Sequence, residues 1–139
     1  MTVSCTHAIP ILRMFDEAMT KEFYVDFLEF EITFEHRFDD KAPLYMGVKK
    51  GTCELNLSGH FGDANPGAGV RIHTAGLDEY AALLRAKTYK YARPGEPQDQ
   101  EWGCRELKVQ DPSGNKLTFY MDLPRPAPEA KGAANSSPA

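Results

Sequence analysis

The sequence contains the same order of predicted elements twice, about sixty residues apart, and this repetition limits the fold more than any other feature. In the first half, an apolar strand over residues 9–14 precedes a helix that Asp16 can cap, and three strands follow. In the second half, a strand over residues 69–74 precedes a helix that opens at Gly76, and further strands follow. Two βαβββ modules, over about residues 8–58 and 69–122, predict an α+β fold.

The strands are predicted from alternation of apolar and polar residues and from turn residues. In the first module they cover residues 31–38, 44–49 and 53–58. In the second module, residues 88–95 are predicted to leave the helix as a strand that runs into a loop. Residues 104–110 and 116–121 form two further strands, joined by the sequence Asp-Pro-Ser-Gly-Asn, which supplies the backbone angles of a tight turn.

The chain after Leu123 differs in composition from the two modules. It is rich in Pro, Ala, Ser and Gly and has no apolar periodicity, so burial cannot offset the entropy of ordering it. We therefore predict a domain over residues 1–123 and a disordered tail over residues 124–139.

Composition excludes several classes of protein. The 16 basic and 20 acidic residues give a net charge of −4, which disfavours nucleic acid as a partner and suits a neutral or cationic small ligand. No apolar run approaches the roughly 20 residues of a membrane span, and no signal peptide is evident, so we expect a cytoplasmic protein without a membrane partner. The three cysteines lack metal or disulfide spacing and are interpreted as reduced thiols, although a nucleophilic Cys with a distant His partner stays open.

Several segments resemble the glyoxalase/bleomycin resistance/dioxygenase superfamily, also called the vicinal oxygen chelate proteins. They are the opening strand and helix, the run WGCRELKVQDPSGNKLTFY, and the duplicated βαβββ order. Within that superfamily the chain is most similar to bleomycin resistance proteins, on Trp102, Gly103, Arg105, Glu106, Asp111, Pro112, Gly114 and Asn115. The resemblance implies that the modules form a curved, cup-shaped mixed sheet. It also implies a homodimer whose N-terminal strand can cross to the partner, with Pro10 as a hinge or simply as an edge proline.

Metal-dependent members of the superfamily present four ligands, one from each of four strands. The resemblance places these positions at Ile9, Glu54, Gly69 and Thr118, of which only Glu54 can bind a metal. A different site made from His7, Glu54 and His73 stays open, because His7 shares strand parity with Ile9 and His73 shares it with Gly69. We expect neither a metal nor another cofactor.

The aromatic residues near the presumed cup suggest where a ligand binds. Trp102 follows a loop and is interpreted either as a ring that stacks on a planar ligand or as a plug over the sheet edge. Glu54 either lines the pocket or faces solvent. The predicted ligand-binding residues are Phe38, Tyr45, Glu54, Asn56, Phe61, Trp102, Arg105 and Thr118.

The sequence leaves two classes of function open. The resemblance implies a metal-independent protein that sequesters a bleomycin-type antibiotic, a large cationic glycopeptide with a planar bithiazole tail, and so confers antibiotic resistance without any catalytic residue. The alternative is a divalent-metal-dependent enzyme of the same superfamily: a lyase, an isomerase or a dioxygenase. A binding protein for some other small molecule has the same sequence features.

Overall fold

The computed structural model describes residues 2–90 and 92–125 of the chain. These residues form two compact units: the first contains the described residues up to Val70 together with Gln110–Lys116, and the second contains Arg71–Val109 and the described residues from Leu117 onward. Most of the predicted tail, residues 126–139, lies outside the described residues.

The first unit follows the predicted βαβββ order. Its elements are β1 (Ile11–Arg13), α1 (Glu17–Lys21), a π-helical continuation (Glu22–Phe27), β2 (Glu31–His36), β3 (Tyr45–Lys50) and β4 (Cys53–Ser58). The strands lie in the order β1-β4-β3-β2, with β1 parallel to β4 and the other neighbours antiparallel. β1 pairs with β4 of its own chain.

The helix of the first unit begins where the sequence predicts. The Asp16 carboxylate accepts a hydrogen bond from the backbone N–H of Met19 at 2.8 Å, which satisfies one of the free amides of the first turn. The buried core of this unit contains aromatic side chains from the helix and aliphatic side chains from alternate strand positions, among them Phe23, Tyr24, Phe27, Leu12, Met46, Val48, Leu55 and Leu57. The remaining strand positions face away from this core.

The second unit repeats the pattern with one short strand. Its elements are β5 (Gly69–His73), α2 (Leu77–Ala86), β6 (Gln98–Asp99), β7 (Cys104–Gln110) and β8 (Lys116–Asp122), and the strand order is β5-β8-β7-β6. Gly76 precedes α2 with φ +72°, a left-handed conformation that glycine adopts without steric cost. No helix in the described part of the chain is long and apolar enough to cross a membrane.

The predicted strand over residues 88–95 is wrong, since the described residues of that segment contain no strand. Pairing begins only after Pro97, where Gln98 faces Glu106 of β7 and Asp99 faces Arg105. Pro94 and Pro97 lack the amide hydrogen that a strand needs for its ladder, which explains why only two residues pair.

The turn between β7 and β8 is held by a buried polar network in the first unit. Asp111 Oδ1 accepts from the backbone N–H groups of Ser113 and Asn115, at 2.9 and 2.8 Å. Asp111 Oδ2 accepts from the Tyr24 hydroxyl at 2.7 Å and from the Asn115 amide at 2.8 Å, and that amide also donates to the carbonyl of Arg13. The Asp-Pro-Ser-Gly-Asn motif therefore has a structural role here.

Candidate functional site

Two stacked rings and two polar side chains lie among the strand residues of the first sheet that face away from the core, and we call these four residues the first open face: Phe34, Tyr45, Glu54 and Asn56. Lys49 pairs with Glu54 across the strands on the same side of the sheet. The rings of Phe34 and Tyr45 are stacked, with centroids 6.0 Å apart and planes inclined by 22°. The Asn56 amide donates to the Tyr45 hydroxyl at 3.0 Å. A Cβ atom at Gly47 would overlap Phe34 Cε1, so glycine at this position leaves room for the ring.

Glu54 lies on the same face as Asn56, because the residue between them, Leu55, is buried. Its carboxylate is 3.7 Å from His7 Nε2. Both side chains remain accessible to solvent. The first open face therefore combines stacked rings, an amide and one accessible carboxylate.

The edge of this face carries exposed aromatic rings. Phe38 is 78% exposed, and its ring makes edge contacts with His36 at 4.9 Å and His60 at 5.6 Å. Phe61 is 97% exposed. Exposed apolar rings of this size are typical of a surface that binds a ligand or a partner.

The second sheet has a corresponding surface, which we call the second open face: Arg71, Trp102, Glu106 and Tyr120. Glu106 is only 3% exposed, and its Oε2 atom accepts two hydrogen bonds. The donors are Trp102 Nε1 and Arg71 Nη1, both at 2.8 Å. Trp102 remains 41% exposed. The structure thus fixes the indole through its N–H group while leaving much of the ring open to solvent.

The charge state of Glu106 follows from these contacts. Burial acts to raise the pKa of this carboxyl, but the hydrogen bonds from Trp102 and Arg71 outweigh it, and the pKa lies below its usual value. The hydrogen bond to Glu106 likewise raises the pKa of Arg71. The pair is therefore ionised at neutral pH.

Tyr120 links the other groups of the second open face. The Arg71 guanidinium lies over the Tyr120 ring, 4.5 Å from its centroid, which is the geometry of a cation–π contact. The His73 ring meets the same tyrosine edge-on at 5.2 Å, and His73 Nε2 is 3.5 Å from Asp122 Oδ2.

Arg105 and Thr118, both predicted to bind ligand, have different surroundings. Arg105 donates to Asp78 of α2 at 2.9 Å and to Asp99 at 2.7 Å, so its guanidinium already binds two carboxylates. It lies on the helix side of β7, opposite to its neighbour Glu106. Thr118 is half-buried between the buried Leu117 and Phe119, on the same side of β8 as Tyr120.

Sequence reasoning missed Arg71 and Glu106 as members of a site. Glu106 was visible in the family motif, and strand alternation places it on the face opposite Arg105. Arg71 had no such marker, because its contact with Glu106 joins positions 35 residues apart.

The residues at the expected metal positions do not fit a divalent ion. Ile9, Gly69 and Thr118 offer no side-chain ligand that a structural or catalytic divalent ion prefers. His7 is paired with Glu54, and His73 with Asp122. Among residues 2–90 and 92–125, no group of three or more His, Cys, Asp or Glu side chains has the geometry of a metal site.

The cysteines are free thiols: Cys5 is exposed, Cys53 is half-buried and Cys104 is buried. Burial, and to a lesser degree the charge of Glu54, raises the pKa of Cys53. A raised pKa disfavours the thiolate that nucleophilic catalysis requires.

Comparison with known proteins adds a family and a set of related folds. The model of a family described as glyoxalase superfamily protein matches residues 1–123. No curated protein sequence matches the chain.

Many solved structures share the fold, among them three named for antibiotic binding or bleomycin resistance. The antibiotic-binding protein TnmS3 from Streptomyces sp. CB03234 has a TM-score of 0.68 at 21% identity, with 87% of this chain and 99% of that chain covered. The bleomycin-binding protein from Streptomyces verticillus, complexed with copper(II)-bleomycin, has a TM-score of 0.66 at 24% identity, with 89% and 100% covered. A bleomycin resistance determinant encoded on the transposon Tn5 has a TM-score of 0.64 at 23% identity, with 85% and 98% covered. At these identities the likeness establishes the fold alone.

Proposed function

We propose that this chain, which belongs to the glyoxalase superfamily and shares the fold of bleomycin resistance proteins, is a metal-independent binding protein that sequesters a bleomycin-type antibiotic and so confers resistance. The ligand is held by stacking on aromatic rings and by attraction between its positive charge and acidic side chains. No chemical step is part of this function.

The observation that carries the proposal is the way Trp102 is held. Its indole N–H is bound to the buried carboxylate of Glu106, while 41% of the residue remains exposed. A large aromatic ring that is both fixed and exposed loses little conformational entropy when a planar group stacks on it. This arrangement supports the stacking role of Trp102 and gives little support to its role as a plug, which needs a buried ring.

The first open face offers aromatic area of its own for a planar ligand. Phe34 and Tyr45 are stacked on each other, and Asn56 holds the Tyr45 hydroxyl, so these rings are also fixed before any ligand arrives. Phe38 is also largely exposed, and its ring contacts the rings of His36 and His60. We propose that Phe38 and Tyr45 contact the ligand together with Glu54, Asn56 and Phe61.

Charge also favours a cationic ligand. The chain has a net charge of −4, and Glu54 keeps a solvent-accessible carboxylate on the first open face. Exposed charges attract a cation over about 8 Å at physiological salt, so drug affinity should fall as salt rises while the stacking contribution stays constant.

The family also contains metal-dependent enzymes, and the side chains of this protein argue against that function. Of the four positions at which those enzymes hold ligands, three are Ile9, Gly69 and Thr118. Chelator treatment of the purified protein is expected to leave the melting temperature unchanged, because a bound ion would stabilise the fold by RT ln(1 + [L]/Kd). A marked fall, together with about one equivalent of metal by elemental analysis, would instead support the enzyme.

We also propose that the protein is a homodimer, as its resemblance to the bleomycin resistance proteins implies. Exposed apolar side chains on the N-terminal arm and β1, including Val3, Ile9 and Ile11, suit burial against a second copy. Sedimentation at micromolar concentration should give a dimer, and deletion from Pro124 should not change it. A monomer at that concentration contradicts this proposal.

The direct test of the function is a titration of the purified protein with metal-free and copper-loaded bleomycin, followed through the fluorescence of Trp102, the only tryptophan. We expect a saturable change with the metal-free drug at concentrations below about 100 μM. Trp102→Phe removes the indole emission and serves as the control for emission by the drug itself. No saturable change with either form at that concentration overturns bleomycin sequestration.

A further inference from the structure

Two carboxyl groups lie on or beside the second open face, and they differ in how accessible they are to a ligand. Glu106 is buried, and its Oε2 atom already accepts hydrogen bonds from Trp102 and Arg71. The side chain of Asp122, at the end of β8, is 72% exposed. A positively charged group of a ligand can therefore reach Asp122, whereas Glu106 is closed to it.

The carboxylate of Asp122 is held only loosely. Among the described residues two groups approach it: His73 Nε2 lies 3.5 Å from Oδ2, and the Cys104 thiol lies 3.8 Å from Oδ1. Strong hydrogen bonds from a charged donor to a carboxylate are shorter, about 2.7–2.9 Å. An incoming cation can therefore exchange these long contacts for a shorter and stronger one.

Asp122 is also close to Trp102 along the backbone. The N–H group of Leu123 donates to the carbonyl of Gly103 at 2.9 Å, and these two residues directly follow Asp122 and Trp102 in the chain. Because consecutive Cα atoms are about 3.8 Å apart, the Cα atoms of Asp122 and Trp102 are separated by at most about 14 Å. A ring that stacks on the indole and carries a short arm is long enough to reach the carboxylate.

The contacts of Tyr120 place Asp122 on the side of the sheet that carries the second open face. The His73 ring meets the Tyr120 ring edge-on at 5.2 Å, and the same imidazole approaches Asp122. Strand alternation agrees, since Asp122 follows Tyr120 by two residues. The charge of Arg71, which lies over the same tyrosine, is balanced by Glu106, so it does little to repel a cation at Asp122.

The first unit has a similar arrangement. Glu54 is an accessible carboxylate beside aromatic rings, and His7 Nε2 approaches it at 3.7 Å. Each of the two modules thus has one accessible carboxylate near its aromatic side chains, and in each the neighbouring histidine is too distant for a strong hydrogen bond. This recurrence supports a role for Asp122 like the one proposed for Glu54.

We infer that Asp122 binds the positively charged group of a ligand whose planar part stacks on Trp102. This inference rests on the proposed function and adds the class of ligand that the second open face selects: a planar aromatic ring that carries an ammonium or guanidinium group on a short arm. The ring contacts the exposed indole, and the arm places the cation beside the carboxylate.

The test uses three probes that share one ring and one arm length and differ in charge: 2-(2-aminoethyl)benzothiazole, 2-propylbenzothiazole and 3-(benzothiazol-2-yl)propanoate. Binding to the full-length protein is measured by isothermal titration calorimetry at neutral pH. We expect the amine to bind about three- to fivefold more tightly than the neutral probe, as for an ion pair that stays partly exposed, and the acid to bind most weakly.

Three variants separate the roles of the residues. Asp122→Asn should remove the preference for the amine while leaving the neutral probe within about twofold, whereas Trp102→Ala should weaken all three probes together. Glu101→Gln is the matched control, because it removes an exposed carboxylate next to Trp102 in the chain, and it should keep the preference. In the wild type the preference should also shrink between about 0.05 and 0.5 M salt.

The outcomes distinguish this subsite from the proposed function. Equal affinity for the amine and the neutral probe in the wild type, or a preference that survives Asp122→Asn, is lost in Glu101→Gln or persists at high salt, overturns the subsite. If Trp102→Ala still weakens the probes in that case, the stacking role stands. Failure of all three probes to bind at about 5 mM also overturns the subsite, while the titration with bleomycin decides the proposed function separately.

Discussion

Asp111 and Glu106 are both acidic residues that are almost fully buried, and they lie close together in the run that carries the family resemblance. Asp111 accepts from four neutral donors that are themselves part of a turn or of the core, including the Tyr24 hydroxyl. Glu106 accepts from an indole and a guanidinium that are both partly exposed.

The two carboxyl groups differ in whether their hydrogen-bond donors are buried or exposed to solvent. The partners of Asp111 are backbone amides and buried side chains, so this carboxyl holds the chain in place. The partners of Glu106 face solvent, so that carboxylate orients groups that a ligand can touch. A shared motif therefore contains one residue that serves the fold and another that serves the proposed site, and exposure of the partners distinguishes them.

The largest effect is expected from Asp111→Ala. It leaves two backbone amides, a tyrosine hydroxyl and an asparagine amide without their acceptor, and each buried unpaired group costs about 1–3 kcal/mol. We expect a loss of about 3–5 kcal/mol in the free energy of unfolding, measured by urea denaturation.

The control for this prediction is Asp39→Ala. Asp39 also accepts from a turn amide, that of Lys41 at 2.8 Å, but in an exposed position. Water can replace this bond, so we expect a cost below about 1 kcal/mol. If both variants lost the same free energy of unfolding, burial of the Asp111 turn would not explain its contribution to stability.

Trp102→Ala tests whether the indole that Glu106 holds binds the drug. We expect drug binding, measured by isothermal titration calorimetry because this variant lacks the only tryptophan, to weaken by roughly 1–3 kcal/mol, as for other stacking aromatics, with the melting temperature little changed. Phe38→Ala should show a smaller loss in the same titration. If Trp102 were a plug, the variant would instead lose several degrees in melting temperature, and its folded fraction would bind normally.

Glu106→Gln should give a smaller loss of affinity than Trp102→Ala, because the ring remains but is held less firmly. The amide oxygen can still accept from the indole, whereas the charge that pairs with Arg71 is gone. Acrylamide quenching of Trp102 emission should rise relative to wild type. Glu101→Gln, next to Trp102 but exposed, should leave quenching unchanged; the same quenching in both variants would argue against the positioning role.

The smallest effects are expected in the pH dependence of stability. Glu106 has a pKa below its usual value in the folded state, so its contribution is present above the unfolded pKa, about 4.3, and is lost as pH falls through the folded pKa. Urea denaturation between about pH 7 and 3 should therefore show a shallower acid decline in Glu106→Gln than in wild type. An unchanged decline would mean that other carboxyl groups account for it.

Tyr24 should affect the pH dependence of stability at alkaline pH. Burial, and then the charge and hydrogen bond of Asp111, raise the pKa of this phenol well above its usual value. Its contribution is therefore complete below the unfolded pKa, about 10, and is lost as pH rises through the folded pKa. Tyr24→Phe should remove that alkaline decline in urea denaturation at rising pH.

The predictions that held depended on short stretches of sequence. Asp16 caps its helix, the strand over residues 104–110 matches β7, and the tight turn forms at Asp111, since each depends on neighbours in the chain. Alternation in β4 correctly separated Glu54 and Asn56 from the buried Leu55 and Leu57. The strand predicted over residues 88–95 is wrong because a strand needs a neighbour to pair with. Pairing with β7 begins only after Pro94 and Pro97, which lack the amide hydrogen.

By itself the sequence determined the order of elements in the two βαβββ modules, the tight turn at Asp111 and the buried face of β4, because periodicity and backbone preferences are local. Only the tertiary structure decided which polar groups meet: Arg71 and Trp102 at Glu106, and Tyr24 with Asn115 at Asp111. A buried carboxyl must find donors, but the chain does not state which distant residues supply them. That choice depends on how strands from separate parts of the sequence are brought side by side.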